Sequence, residues 1–234
     1  MNTNSVKMPE IYENGIHALK THDSRWHALI EMIGPCDLQH TSPQETHEAL
    51  IKAVAYQQLH AKAGDAILKR FRKLFSNGHF PTCEEVLLKD KSEIKACGFS
   101  ETKASTILCI AEAGIAGVIP RREKVVEMSE EQLIAKLIQL KGVGRWTVEM
   151  MLIYGMGKQD VMPSSDFGIR EGYRRLYDLP EQPKPNDISL RTKELTPYRT
   201  LAAWYLWRVP RDFQARYEKE FESKQRSEDA GCVG

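Results

Sequence analysis

The sequence predicts an all-α protein, on three observations. Apolar residues recur at three- and four-residue spacing through most of the chain. Ser/Thr-x-x-Glu/Gln signatures head several of those runs. No segment alternates apolar and polar residues convincingly, as a half-buried strand would. With 234 residues and 41% hydrophobic content, the chain is long enough to bury a core in one compact unit or two small lobes.

Ser42-Pro43-Gln44-Glu45 places an N-cap serine, a proline at the first helical position and a glutamate at the third, which opens a helix. Leu50, Ile51, Val54, Ala55 and Leu59 follow on one face, and Ala63, Ala66, Ile67, Phe71 and Leu74 form a second set. The stripe shifts near His60 to Lys62, so two helices joined by a turn are expected there. Thr82-Cys83-Glu84-Glu85 caps the next helix. Gly98-Phe99-Ser100 is a turn before a short helix, Lys103 to Ala113. Ser129-Glu130-Glu131-Gln132 caps a helix carrying Leu133, Ile134, Leu137 and Ile138, and Gly142-Val143-Gly144 breaks it. Helix resumes from Trp146 to Tyr154. Ser164-Ser165-Asp166 starts another towards Tyr177, and Thr196-Pro197-Tyr198-Arg199 opens a last core helix through Trp207. The expected organisation is a central lobe over residues 41–158, a second lobe from 1–40 plus 159–222, and a polar tail at 223–234.

Composition narrows the function classes. The most apolar stretch, Ala104 to Ile119, is too short to span a bilayer and carries Glu112, and Met1 to Lys7 lacks a signal-peptide core. No membrane role is expected. The five cysteines are dispersed with no CxxC pair, which argues for free thiols in an intracellular compartment and against a zinc site or a disulfide framework. Net charge is +1, so bulk charge does not announce nucleic acid. Local charge is more suggestive. Lys62, Lys69, Arg70, Arg72 and Lys73 face only Asp65 in their stretch, and Arg170, Arg174 and Arg175 cluster, although a solvated helix face reads the same way.

Leu140-Lys141-Gly142-Val143-Gly144-Arg145-Trp146-Thr147 lies between two helices. Glycines there permit backbone geometry a Cβ would block and leave N–H groups at a helix start, where an anion is favoured. On these residues alone, an ordinary αα-turn fits equally well.

Longer stretches decide between the two. LKGVGRWT resembles the helix-hairpin-helix motif of the base-excision DNA glycosylases, and Asp166, in VMPSSDFGIR, stands where that superfamily carries its catalytic aspartate. AVAYQQLHAKAGDAILKRF is similar to the family's helix-turn-helix that enters the minor groove. FPTCEEVLL with IKACGFSETKASTI, and TPYRTLAAWYLWR, resemble further blocks in the family's order, over about residues 45 to 208. The resemblance implies two helical lobes with the active-site cleft between them. Where strand-cleaving members carry a lysine nucleophile, this chain has Trp146, and it lacks the four cysteines of an iron–sulfur cluster. Both departures point to the alkylpurine branch, the DNA-3-methyladenine glycosylase type in its compact form.

The resemblance implies the following site. Asp166 is the catalytic carboxylate, its charge set against a cationic sugar. Trp146 and Trp207 match aromatic pocket positions for an electron-poor base, with Tyr56 and Trp204 as further candidates. Met150 replaces a pocket tyrosine of the larger bacterial enzymes. Gln58, Leu59 and His60 form the wedge and minor-groove turn, with Leu59 as apolar filler. Gly142, Gly144, Arg145 and Thr147 bind phosphate, and the carbonyls of Ile138, Leu140 and Val143 match a family site for a monovalent cation. No cofactor is otherwise required. The expected partner is double-stranded DNA containing alkylated bases, bound by a monomer, in the nucleus of a eukaryote or the cytoplasm of a bacterium. Two rival readings stay open: a non-catalytic hairpin module for docking on DNA, and a glycosylase for mismatched or oxidised bases.

Overall fold

The computed structural model describes residues 10–38, 44–75 and 78–219. Ser42 and Pro43 of the first capping signature, Cys232 and the tail from 223 lie outside them. Among the described residues every regular element is helical. The chain divides into two compact units, Met1–Leu38 with Gln159–Gly234, and Gln39–Lys158.

The first unit opens with α1 (Glu10–His22) and α2 (Ser24–Ile33). Asp23 separates them as an N-cap, its carboxylate accepting the N–H groups of Arg25 and Trp26. The second unit contains α3 (Thr46–Tyr56), α4 (Ala61–Lys73), α5 (Cys83–Leu87), α6 (Lys91–Ala96), α7 (Glu101–Ile115), α8 (Arg122–Glu127), α9 (Glu130–Leu137) and α10 (Arg145–Met150). The chain then returns to the first unit with α11 (Phe167–Leu176), α12 (Pro185–Arg191) and α13 (Arg199–Leu206).

The capping signatures at Thr82 and Ser129 are both formed, each hydroxyl accepting the N–H three residues on while that residue's side chain returns to the cap. Ser100 caps α7. Helix α3 departs from expectation: it begins at Thr46, and its N-cap Glu45 makes no side-chain cap bond. The helix expected from Trp146 to Tyr154 is α10 followed by a π-helical turn, Met151–Gly155, in which the Met156 N–H reaches back five residues to the Met151 carbonyl.

In the second unit α3 is the central element, with Leu50, Ile51, Val54 and Ala55 wholly buried. It packs on α4, α7, α10 and the π turn. The last contact requires a glycine, since a Cβ on Gly155 would lie 2.3 Å from the Ala49 Cβ. The first unit is built on Trp26, Tyr205 and Phe213, all fully buried. There α11 and α13 cross at backbone contact. A Cβ at Gly172 would stand 1.9 Å from the Leu206 carbonyl oxygen.

Candidate active site

That crossing positions the acid. Asp166 is the N-cap of α11, and its Oδ1 accepts the Ile169 N–H at 3.0 Å. Trp207 is the C-cap of α13, and its Nε1–H donates to the same Oδ1 at 2.9 Å. Gly168 makes room for the indole: a Cβ there would be 2.9 Å from the Trp207 ring and 3.1 Å from Asp166 Oδ1. The turn before the helix is tight, with the Asp166 N–H on the Pro163 carbonyl and the Ser164 N–H on that of Met162. Asp166 is therefore both a helix cap and a partly exposed carboxylate with two fixed donors. The aromatic beside it, Phe167, is 71% exposed, which sequence reasoning passed over.

In the second unit, the turn between α3 and α4 projects Gln58, Leu59 and His60, all exposed. Gln58 has φ 54°, in the left-handed region that a non-glycine residue rarely occupies. Leu59 is 40% exposed, so it is not a core side chain. His60 caps α4 through its carbonyl, which accepts the Ala63 and Gly64 N–H groups, and its ring makes no capping bond.

Tyr56 is better explained by this turn than by a base pocket. Its ring lies where a Cβ on Gly64 would stand 2.3 Å away, and its hydroxyl donates to Asp65 Oδ1. Two further residues that hold the turn were missed. Gln57 donates through Nε2 to Thr147 Oγ1 at 2.8 Å and to the Gly142 carbonyl at 3.3 Å. Lys103, on α7, donates through Nζ to the carbonyls of Gln57 at 2.7 Å and Ala55 at 3.2 Å. Burial pulls the Lys103 ammonium below the usual lysine value. A glutamine in a doubled Gln-Gln and a lysine near a helix start carry no sequence signal for these roles.

The hairpin joins α9 to α10. Gly142 has φ 83°, and a Cβ there would meet Thr106 Oγ1 at 1.9 Å, so no other residue fits. Gly144 is the N-cap of α10. Arg145 remains 53% exposed while its Nε donates to the fully buried Glu149 at 2.9 Å. Thr147 leaves the phosphate-binding set. It is 2% exposed, its hydroxyl accepts from Gln57, and its N–H is bonded to the Gly144 carbonyl. Of the three carbonyls proposed for a cation, that of Leu140 accepts the Val143 N–H at 3.0 Å and keeps a second lone pair. Uncharged carbonyl oxygens in a tight turn are the donor type that a weakly held monovalent cation takes. Among the described residues no cluster of three or more His, Cys, Asp or Glu side chains suits a metal ion.

Trp146 stays half-exposed at the start of α10, and Met150 is buried. Trp204 is corrected to the core: it is 4% exposed, set edge-on to Tyr205 with the Arg208 guanidinium 3.6 Å from its ring centre. The arginines of α11 are also structural. Glu171 accepts from Arg174, Arg175 and Gln182, which hold its carboxyl down at about 2, and Arg170 donates to the Pro183 carbonyl. The cysteines at 36, 83, 97 and 109 are free thiols, the first three buried.

A helical unit with a glycine hairpin and an exposed turn between α3 and α4, and another with an acid capping a helix, are the features of the helix-hairpin-helix glycosylase class. Residues 51–198 match the HhH-GPD superfamily of base excision DNA repair proteins, and the chain belongs to that family. It is 43% identical over 206 residues to DNA-3-methyladenine glycosylase 1 of Schizosaccharomyces pombe, covering 88% of each chain. It is 34% identical to the alkylbase DNA glycosidase-like protein mag2 of the same yeast, covering 86% of this chain and 94% of that one. Among solved structures, the S. pombe 3-methyladenine DNA glycosylase bound to abasic DNA superposes with a TM-score of 0.78 at 44% identity, over 83% of this chain and 95% of that one. A DNA-3-methyladenine glycosidase of Bacillus halodurans gives 0.72 at 26% identity, over 87% and 92%.

Proposed function

We propose that the protein is a monofunctional DNA glycosylase that hydrolyses the N-glycosidic bond of alkylated purines in duplex DNA and leaves an abasic site. The observation that carries this reading is the Asp166 carboxylate, with Oδ1 fixed by the Trp207 and Ile169 N–H groups. A carboxylate so held is a preorganised negative charge, which is what an oxocarbenium-like sugar requires. The relatives named for 3-methyladenine agree with it.

Alkylation at N3 or N7 makes the purine cationic. When the bond from C1′ to the base breaks, the electron pair goes to the base, which departs neutral and needs little acid catalysis. Asp166 stabilises the positive sugar, water adds at C1′, and the water proton passes through the carboxylate to solvent. The base first leaves the stack. Gln58 and Leu59 fill the vacated space, with His60 in the minor groove. Trp146 stacks on the electron-poor base, an attraction of about 0.5–2 kcal/mol. Met150 in place of a stacking tyrosine narrows or alters the range of bases accepted. Trp207 keeps one aromatic face for the base while its N–H serves the acid. Backbone N–H groups of Gly142, Gly144 and Arg145 take a DNA phosphate at the start of α10. The carbonyls of Ile138, Leu140 and Val143 would hold a monovalent cation, which would supply positive charge beside that phosphate. The protein acts as a monomer.

The test is base release from duplexes carrying 3-methyladenine, 7-methylguanine, an ethenoadduct, 8-oxoguanine or a mismatch. Release confined to alkylated purines is expected. Release of 8-oxoguanine or a mismatched base instead would reassign the substrate class. Tight DNA binding without any release would make the chain a docking module.

A further inference from the structure

We propose that Gln57 and Lys103 are positioning residues for base eversion, bolting the probing turn to the hairpin and to α7. The inference rests on the glycosylase reading above and adds two residues to it. Gln57 is held at both ends. Its carbonyl takes the Lys103 ammonium at 2.7 Å, and its amide donates to Thr147 Oγ1 and the Gly142 carbonyl across 90 and 85 residues of sequence. Lys103 also takes the Ala55 carbonyl, so one half-buried cation closes two of the orphan carbonyls at the end of α3. The next residue, Gln58, sits at φ 54°. A left-handed non-glycine residue is strained and persists only where its surroundings over-determine it. Here they do: Gln57 is anchored before it, Tyr56 is locked on Gly64 and Asp65, and the Leu59 N–H returns to the Tyr56 carbonyl at 3.2 Å.

The arrangement has a mechanical consequence. A wedge that displaces a stacked base is pushed back by the duplex, and a turn free to relax would yield. Gln57 transmits that load to Gly142 and Thr147, in the hairpin that takes the DNA phosphate. Seating the phosphate and advancing the wedge are thereby one motion of one rigid body.

The experiment compares Gln57→Ala, Lys103→Met and Lys103→Arg with the unmodified protein. Single-turnover excision of 7-methylguanine is measured opposite cytosine and opposite an abasic site, where little pairing resists eversion. A 2-aminopurine beside the lesion reports unstacking on binding. Gln57→Ala and Lys103→Met should lose about tenfold or more opposite cytosine and at most about threefold opposite the abasic site, because eversion is easiest where pairing is already lost. The 2-aminopurine signal should fall in step, and Lys103→Arg should recover most of both. Thermal melts of the variants separate unfolding from loss of rigidity. Equal losses on the two duplexes, or an unchanged 2-aminopurine signal, would overturn the proposal. If the unmodified protein unstacks 2-aminopurine but releases no base, the glycosylase reading fails while the positioning role stands on the fluorescence.

Discussion

At the scale of residues, Asp166 carries two duties that substitution can separate. It caps α11 through Oδ1, and its charge is assigned to the sugar cation. Asparagine caps helices as well as aspartate does, so Asp166→Asn should fold and bind DNA nearly normally. It should lose excision by at least about a hundredfold, the usual consequence of removing electrostatic stabilisation worth about 3–4 kcal/mol. Near-normal single-turnover excision would sink the mechanism. Trp207→Phe keeps an aromatic face but withdraws the Nε1–H from Oδ1. A hydrogen bond to a charged group is worth about 1.5–3 kcal/mol, so a rate loss of roughly ten- to a hundredfold is expected, with DNA affinity little changed. An unchanged rate would mean the indole serves only as a wall. Leu59 tests the other unit. At 40% exposure it cannot cost the roughly 2–5 kcal/mol of a truncated core leucine. Leu59→Ala should slow excision from paired duplexes and barely move the melting temperature. A large drop in melting temperature with full activity per folded molecule would remove Leu59 from the wedge.

At the scale of elements, α11 is both the pedestal of the acid and an electrostatic unit of its own. Glu171 collects two arginines and Gln182, and this holds its carboxyl at about 2, below its ordinary value of 4.5. A carboxylate depressed on folding contributes stability that is fully present above its unfolded value and is lost as pH falls through the folded one. The window is therefore about pH 4.5 down to about pH 2. Glu171→Gln should be less stable than the parent at neutral pH, and the gap should close as the melt is repeated at progressively lower pH through that window. A gap independent of pH would show that shape, not charge, holds the cluster. The same cluster accounts for the arginine-rich stretch of α11 without a DNA contact. Arg174 and Arg175 are committed within the helix, and Arg170 to the Pro183 carbonyl.

At the scale of the whole molecule, what was legible in the sequence is what local chemistry decides. Thr82 and Ser129 advertise their helices because a hydroxyl and a glutamate or glutamine three residues later satisfy each other without outside help. That Asp166 heads a helix was legible from Ser164-Ser165-Asp166, while its catalytic assignment came from the family resemblance. The Trp207–Asp166 bond was not, because it depends on α11 and α13 meeting at Gly172, a tertiary event. The π turn after α10 escaped for the same reason, since Gly155 packs on Ala49 across the unit. Tyr56 and Trp204 show the limit from the other side. An aromatic on a helix reads alike whether it faces a ligand, a glycine or the core. The proposal that the protein does not cleave the strand belongs to this scale, because any accessible amine could supply a lyase. The resemblance sets Trp146 at the family's nucleophile position, and an indole cannot form a Schiff base. Lys141 is exposed on the hairpin, five residues before it. Lys103 has the lowered basicity that suits Schiff-base chemistry, but its Nζ is spent on two carbonyls. Borohydride added during turnover should therefore trap no protein–DNA adduct above background, and the abasic product should remain intact until treated with alkali. An efficient adduct that disappears in Lys141→Ala or Lys103→Met would identify the amine and make the protein a bifunctional enzyme.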